Sequence, residues 1–171
     1  MSNQNDKIYT PPHIVDEVLE VFLPMMGDDE TVLEPFRGKG AFYDKLPANR
    51  RSWCEIDDGV DYLKHTIRYG WVITNPPYST FAQMLPKLMN TADNVVVLIP
   101  TNKILSSMPR MMDIDRAGFG IKHIHYVGSG RQIKFPFGFP VGAVYLQRGH
   151  TGTTKITYAD RCYGAKARRT V

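Results

Sequence analysis

Asn75-Pro76-Pro77-Tyr78 places two hydrogen-bond acceptors and an aromatic ring within four residues. One acceptor is the Asn75 side-chain carbonyl. The other is the Pro76 backbone carbonyl, whose direction two consecutive prolines restrict. Such a pair suits an amine with a delocalised lone pair, because both N–H groups must be held while the nitrogen becomes tetrahedral. That chemistry needs no strong base, and the motif contains none. Upstream, Glu34-Pro35-Phe36-Arg37-Gly38-Lys39-Gly40 carries glycines where a backbone must turn sharply and pass close to a ligand. Glu55 lies 21 residues after Glu34, a spacing at which an acid accepts hydrogen bonds from ribose hydroxyls. Asp61 follows in Gly59-Val60-Asp61-Tyr62-Leu63. Each piece alone has a plain structural reading. Gly-Lys-Gly is then a tight turn, Glu55 a solvated acid, and Asn75 to Pro77 a strand stop with Tyr78 in the core. What favours chemistry is their order, each at the end of a predicted strand.

The elements that would position these residues follow from the hydrophobic pattern. Thr10-Pro11-Pro12 is extended. Ile14, Val15, Val18, Leu19 and Phe22 make an apolar stripe at helical spacing, which Pro24 and Gly27 end. Strands are expected at 31–33, 52–56 and 70–74, with a short helix over 41–46. A helix is expected over 79–90, and Pro86 predicts a kink or break in it. Residues 94–99 include the continuous run Val95-Val96-Val97-Leu98-Ile99, which belongs to a sheet covered on both faces. Two further strands, 121–127 and 143–146, lie close together with no helix between them. They are expected to pair antiparallel at the sheet edge. Alternating strands and helices predict an α/β fold with a mostly parallel central sheet and helices on both faces. Ligands bind such sheets beyond the carboxyl ends of the strands. The division expected is one domain over 1–150, with a basic tail or edge extension over 151–171.

With these residues in place, the chain resembles the Rossmann-like class I S-adenosylmethionine-dependent methyltransferases. It is most similar to the amino-methyltransferases of DNA, with Asn75-Pro76-Pro77-Tyr78 as the hallmark. Tyr9-Thr10-Pro11-Pro12 resembles the segment that precedes the first strand and touches the cofactor. Glu34 to Gly40 resembles the loop usually written Asp-Pro-Phe-x-Gly-x-Gly, with Glu34 in place of the aspartate. The likeness runs from Tyr9 to about Leu146, cofactor motifs first, as in the gamma arrangement. It implies S-adenosyl-L-methionine as cofactor. The implied contacts are Tyr9, Thr10 and Pro11, then Glu34, Pro35, Phe36, Gly38 and Gly40, then Glu55, Ile56, Asp61 and Tyr62, and finally Asn75. Glu55 would bind the ribose and Asp61 the adenine amino group. The implied reaction is methyl transfer to N6 of adenine in DNA. Asn75, Pro76 and Pro77 would carry the catalysis, and Tyr78 would stack on a base rotated out of the helix. The same motif serves RNA adenine, cytosine N4 and protein glutamine.

Charge is unevenly placed. Residues 1–116 hold 12 Lys/Arg against 16 Asp/Glu, whereas residues 117–171 hold 9 Lys/Arg and a single acid, Asp160. A basic C-terminal third suits a polyanion, so nucleic acid is the expected partner, and a solvated tail is the plain alternative. Between the last two strands, Arg131, Lys134 and Phe135 mix cations with a stacking face, as substrate-binding surfaces for unstacked bases do. The resemblance implies that Phe135 lies against the target base. In the tail, Arg161, Lys166, Arg168 and Arg169 are expected to contact phosphates or to be disordered. Cys54 and Cys162 read as free thiols of a cytoplasmic protein, in core and surface respectively, and neither follows a proline as a covalent cytosine mechanism requires. No metal site is expected, because His123 and His125 have no cysteine partners at zinc spacing. No window approaches the roughly 18 apolar residues of a membrane span. The polar start shows no secretory signal. No segment is large enough for a target-recognition region, Ser106 to Arg116 being too short. Specificity is then low, or a partner subunit or a second copy supplies it, or the target is not duplex DNA. The rival from another class is a catalytically silent nucleic-acid-binding module of the same fold.

Overall fold

A computed structural model describes residues 8–164. Helix α1 spans Pro12–Phe22 and begins on a proline, whose missing N–H is no loss in a first turn. Its predicted stripe is buried throughout. The strands are β1 (Val32–Glu34), β2 (Arg51–Trp53), β3 (Tyr69–Thr74), β4 (Ala92–Pro100), β5 (Phe119–Ser129), β6 (Pro140–Arg148) and β7 (Lys155–Tyr158). They form one seven-stranded sheet in the order β2-β1-β3-β4-β6-β5-β7. Val32 pairs with Arg51 on one side and Trp71 on the other, both parallel, and β3 and β4 are also parallel. Strand β6 runs against both neighbours, opposing Val96 and His123 through Tyr145. The expected antiparallel pair therefore forms, and β6 is inserted between β4 and β5. The edge itself is β7, parallel to β5 and built from residues assigned to the tail or extension.

Val95 to Ile99 are fully buried in succession, which requires cover on both faces of β4. Helix α1 supplies part of it: the Phe22 ring packs 5.2 Å from His123 and 5.8 Å from Tyr145. Tyr145 in turn stacks on Trp71 at 5.1 Å. Helix α2 (Phe81–Thr91) packs on β3 and β4 and touches α4 (Met108–Arg116), which packs on β5. A one-turn α3 (Asn102–Leu105) links β4 to α4.

Two expectations change. Helix α2 continues through Pro86 without a break. Burial of Phe81, Leu85, Leu88 and Met89 on one side holds the turns that the missing Pro86 N–H would weaken. Residues 41–46 make a single 3-10 turn, Tyr43–Lys45, and no α-helix. Pro47 stops it after one turn, and the Tyr43 carbonyl accepts both the Leu46 N–H that closes the turn, at 3.1 Å, and the Arg51 guanidinium, at 2.7 Å. The β1–β2 and β2–β3 connections thus carry only 3-10 turns.

Candidate active site

The carboxyl ends of β1, β2 and β3 open onto one cavity of about 760 Å³. Its floor is Glu34, the last residue of β1, which is 2% exposed. The Phe36 amide donates to Glu34 Oε1 at 3.1 Å, and the Thr74 hydroxyl donates to the same oxygen. Burial dominates these two bonds and pushes the Glu34 carboxyl up to about 8. Beyond it the chain turns through Gly38 and Gly40, at φ +53° and +87°. A Cβ on Gly40 would sit 2.7 Å from the exposed Asp44 carboxylate, which can move aside, so it is the backbone conformation that demands glycine there.

The acids of the second connection are fixed by the backbone. Strand β2 ends at Trp53, earlier than expected, so Glu55 and Ile56 fall in the turn that follows. Glu55 Oε2 accepts from the Gly38 amide at 2.6 Å, and Oε1 accepts from Asp57 N at 3.3 Å. One carboxylate thereby ties the glycine loop to the end of β2. Asp61 caps the next turn by accepting from Leu63 N at 2.9 Å. Ile56 and Leu63 line the same cavity and are 64% and 59% exposed, apolar flanks suited to a flat ring. Arg37 lies outside them, paired with Asp58 at 2.5 Å and 4.0 Å over the Trp53 ring.

Asn75 follows β3 at the opposite wall. Its Nδ2 donates to the Ile8 carbonyl at 3.1 Å and to Thr10 Oγ1 at 2.9 Å. A backbone carbonyl can only accept, so the amide nitrogen must face Ile8 and Oδ1 is left as the other end. Oδ1 is buried and has no hydrogen-bond partner among the described residues. A buried unpaired acceptor destabilises by about 1–3 kcal/mol, and on a residue that lines a cavity it is a group a ligand can satisfy.

The cavity thus collects most of the residues singled out by sequence. Tyr9, Thr10, Glu34, Pro35, Phe36 and Gly38 line its first half. Glu55, Ile56, Asp61, Tyr62, Asn75 and Pro77 line the rest. Pro11, Gly40, Pro76 and Tyr78 are not among its lining residues. Tyr78 is 7% exposed and lies edge-on to Phe137 with ring centroids 5.8 Å apart. Phe135 is buried and meets the same Phe137 with ring centroids 5.7 Å apart. Arg131 and Lys134 are exposed on the same β5–β6 connection, outside the cavity. Sequence reasoning passed over Phe137 and Ile8. The alternation Phe135-Pro136-Phe137-Gly138-Phe139 hinted at the first; nothing local marks a backbone carbonyl such as that of Ile8.

Other titratable groups have structural roles. Arg161, expected at a phosphate, pairs with Glu17 at 2.6 Å and donates to the Val127 carbonyl at 2.8 Å. Lys166, Arg168 and Arg169 lie outside the described residues. His123 and His125 both bond Thr157 Oγ1, at 2.7 and 2.8 Å. Among the described residues no cluster of three or more His, Cys, Asp or Glu has metal-binding geometry. Both cysteines are free, and burial raises the Cys54 thiol to about 11. Among the described residues no helix is long and apolar enough to cross a membrane.

No family profile matches the chain, and no curated protein matches it in sequence. Solved structures match in fold. A Listeria monocytogenes protein assigned as a class I S-adenosylmethionine-dependent methyltransferase superposes with TM-score 0.66 at 13% identity, over 92% of this chain and 66% of its own. A Pyrococcus horikoshii protein assigned as an RNA methyltransferase gives 0.64 at 17%, over 85% and 90%. The methyltransferase subunit of a type I restriction-modification system from Streptococcus thermophilus gives 0.62 at 10%, over 88% and 47%. The chain therefore has the class I methyltransferase fold, and it spans about half the length of that restriction-modification subunit.

Proposed function

We propose that this chain transfers a methyl group from S-adenosylmethionine to the exocyclic N6 amine of adenine in DNA. The observation that carries the reading is the buried, unpartnered Asn75 Oδ1, on a residue that lines a cavity of nucleoside size. The residues present fit the cofactor. Glu55 and Asp61 retain lone pairs for ribose hydroxyls and an adenine amine, and Ile56 and Leu63 offer apolar flanks for its ring. S-adenosylmethionine, when bound, supplies a methyl group on a sulfonium that departs with the bonding electron pair.

The chain's own residues act on the acceptor. Asn75 Oδ1 and the Pro76 carbonyl accept the two N–H groups of the amine. This draws the nitrogen lone pair out of conjugation and fixes its line of approach. Pro77 keeps the Pro76 carbonyl from turning. The base takes the place of the Phe137 edge against Tyr78. Arg131 and Lys134 lie on the same connection and contact the flanking phosphates. The likeness to a methyltransferase subunit of a type I restriction-modification system supports specificity supplied by a partner subunit, in a reducing cytoplasm where Cys54 and Cys162 stay free.

A second substrate, adenine in RNA, is favoured by one finding: the Pyrococcus horikoshii neighbour, matched over 90% of its length, carries an RNA assignment. The test is methyl-labelled S-adenosylmethionine offered with duplex DNA, single-stranded DNA and RNA, followed by digestion and mass spectrometry. Label in N6-methyladenine of DNA supports the reading, and label in RNA alone moves the substrate. No label in any nucleic acid overturns it.

A further inference from the structure

We propose that Thr10 is the positioning residue that aims the Asn75 side-chain carbonyl, an inference that rests on the methyl-transfer reading above. The terminal torsion of asparagine is broad and nearly two-fold, so covalent geometry alone does not say which end of the amide faces the substrate. Two bonds from one segment decide it. The Ile8 carbonyl selects the nitrogen end, since it can only accept. The Thr10 hydroxyl, at 2.9 Å from the same Nδ2, sets the plane of the group. A single bond would leave the amide free to rock about the Nδ2–Ile8 line, carrying Oδ1 off the amine.

The segment is itself well anchored. Pro11 holds Thr10 in extended backbone, which presents its hydroxyl, and Thr10 is 6% exposed. Pro12 opens α1, and Lys45 ties the start of that helix by donating to the Pro12 carbonyl at 3.2 Å and pairing with Asp16 at 2.5 Å. The 65 residues between Thr10 and Asn75 are thus bridged by a strap docked through the buried stripe of α1. The resemblance assigned Thr10 to the cofactor alone. The geometry adds the acceptor amine, reached through Asn75.

The experiment compares Thr10→Val, which keeps the volume and removes the hydroxyl, with Thr10→Ser, which keeps it. Methyl transfer to adenine-containing DNA gives kcat and KM, and calorimetry with S-adenosylhomocysteine gives cofactor-site affinity. The expected result is a kcat about 10-fold lower in Thr10→Val, affinity within about threefold of wild type, and recovery in Thr10→Ser. A kcat within about twofold of wild type in Thr10→Val, or a loss carried by cofactor affinity, overturns the proposal. A second readout needs no substrate. In ¹⁵N-asparagine-labelled wild-type protein, the Asn75 side-chain amide protons, identified by their loss in Asn75→Ala, exchange more slowly than those of exposed asparagines. Exchange as fast as the exposed groups overturns the proposal even where methyl transfer is confirmed. Protection that falls in Thr10→Val and returns in Thr10→Ser, without methyl transfer, upholds Thr10 as the orienting group and overturns the chemistry instead.

Discussion

The Thr74 hydroxyl donates a hydrogen bond to Glu34 Oε1, joining the last residue of β3 to the last residue of β1 beneath the cavity. The bond sits where water is excluded, and exclusion is what raises the Glu34 carboxyl to about 8. A carboxyl with a raised folded-state value binds its proton more tightly folded than unfolded. Its contribution to stability is complete below the ordinary carboxylate range and is lost as pH climbs through about 8. Glu34→Gln removes that titration. The melting temperature of the wild type should therefore fall relative to Glu34→Gln between pH 5 and pH 8.5, and parallel curves would refute the buried, protonated carboxyl.

His123 carries the opposite sign. Burial, then the Lys155 and His125 charges, lower it to about 4. Stability from a neutral imidazole is present above its ordinary value near 6.5 and is lost as pH falls toward 4. His123→Gln keeps a partner for the Thr157 hydroxyl and cannot titrate. Between pH 6.5 and pH 4 its melting temperature should decline less than that of the wild type, as followed by circular dichroism.

Asn75→Ala separates binding from chemistry. Removing one preorganised group at a reacting centre lowers kcat by about 100-fold or more. Affinity for S-adenosylhomocysteine should stay within a few-fold, because Glu55 and Asp61 are untouched. Full activity in Asn75→Ala would rule out the proposed role of its carbonyl.

Glu55→Ala acts on the cofactor side twice over. It deletes the acceptor expected for ribose, and it frees the Gly38 amide now bonded at 2.6 Å. Hydrogen bonds to a charged group contribute about 1.5–3 kcal/mol, so calorimetry should show S-adenosylhomocysteine binding at least about 10-fold weaker. Glu55→Gln, which still accepts from Gly38, should fall between. Equal affinity in all three proteins would place the cofactor elsewhere.

Phe135 and Phe137 differ in what they touch. Phe135 is 4% exposed, and its truncation to alanine leaves a cavity costing about 3–5 kcal/mol, read as a lower denaturant midpoint. Phe137 is half-buried and packs on Tyr78. Phe137→Ala should lower stability less and change KM for nucleic acid more. The reverse ranking would move the base contact to Phe135.

Much of this arrangement was legible before any coordinates. The helical stripe of α1, the buried run of β4 and the order of strand-end motifs are local patterns, set by side-chain periodicity and by what glycine and proline permit. They determined the α/β class and which residues follow β1, β2 and β3. The sheet order was not local. Tyr145 could seat β6 between β4 and β5 only because Trp71 and Phe22, from two other elements, pack against it. The fate of the Arg161 charge was decided by Glu17. The same holds at the site. Sequence alone determined that Asn75 would stand at a strand end beside two prolines. Only the tertiary structure decided which way its amide faces, because the groups that turn it, Ile8 and Thr10, are brought there by the packing of α1 and not by any neighbouring residue.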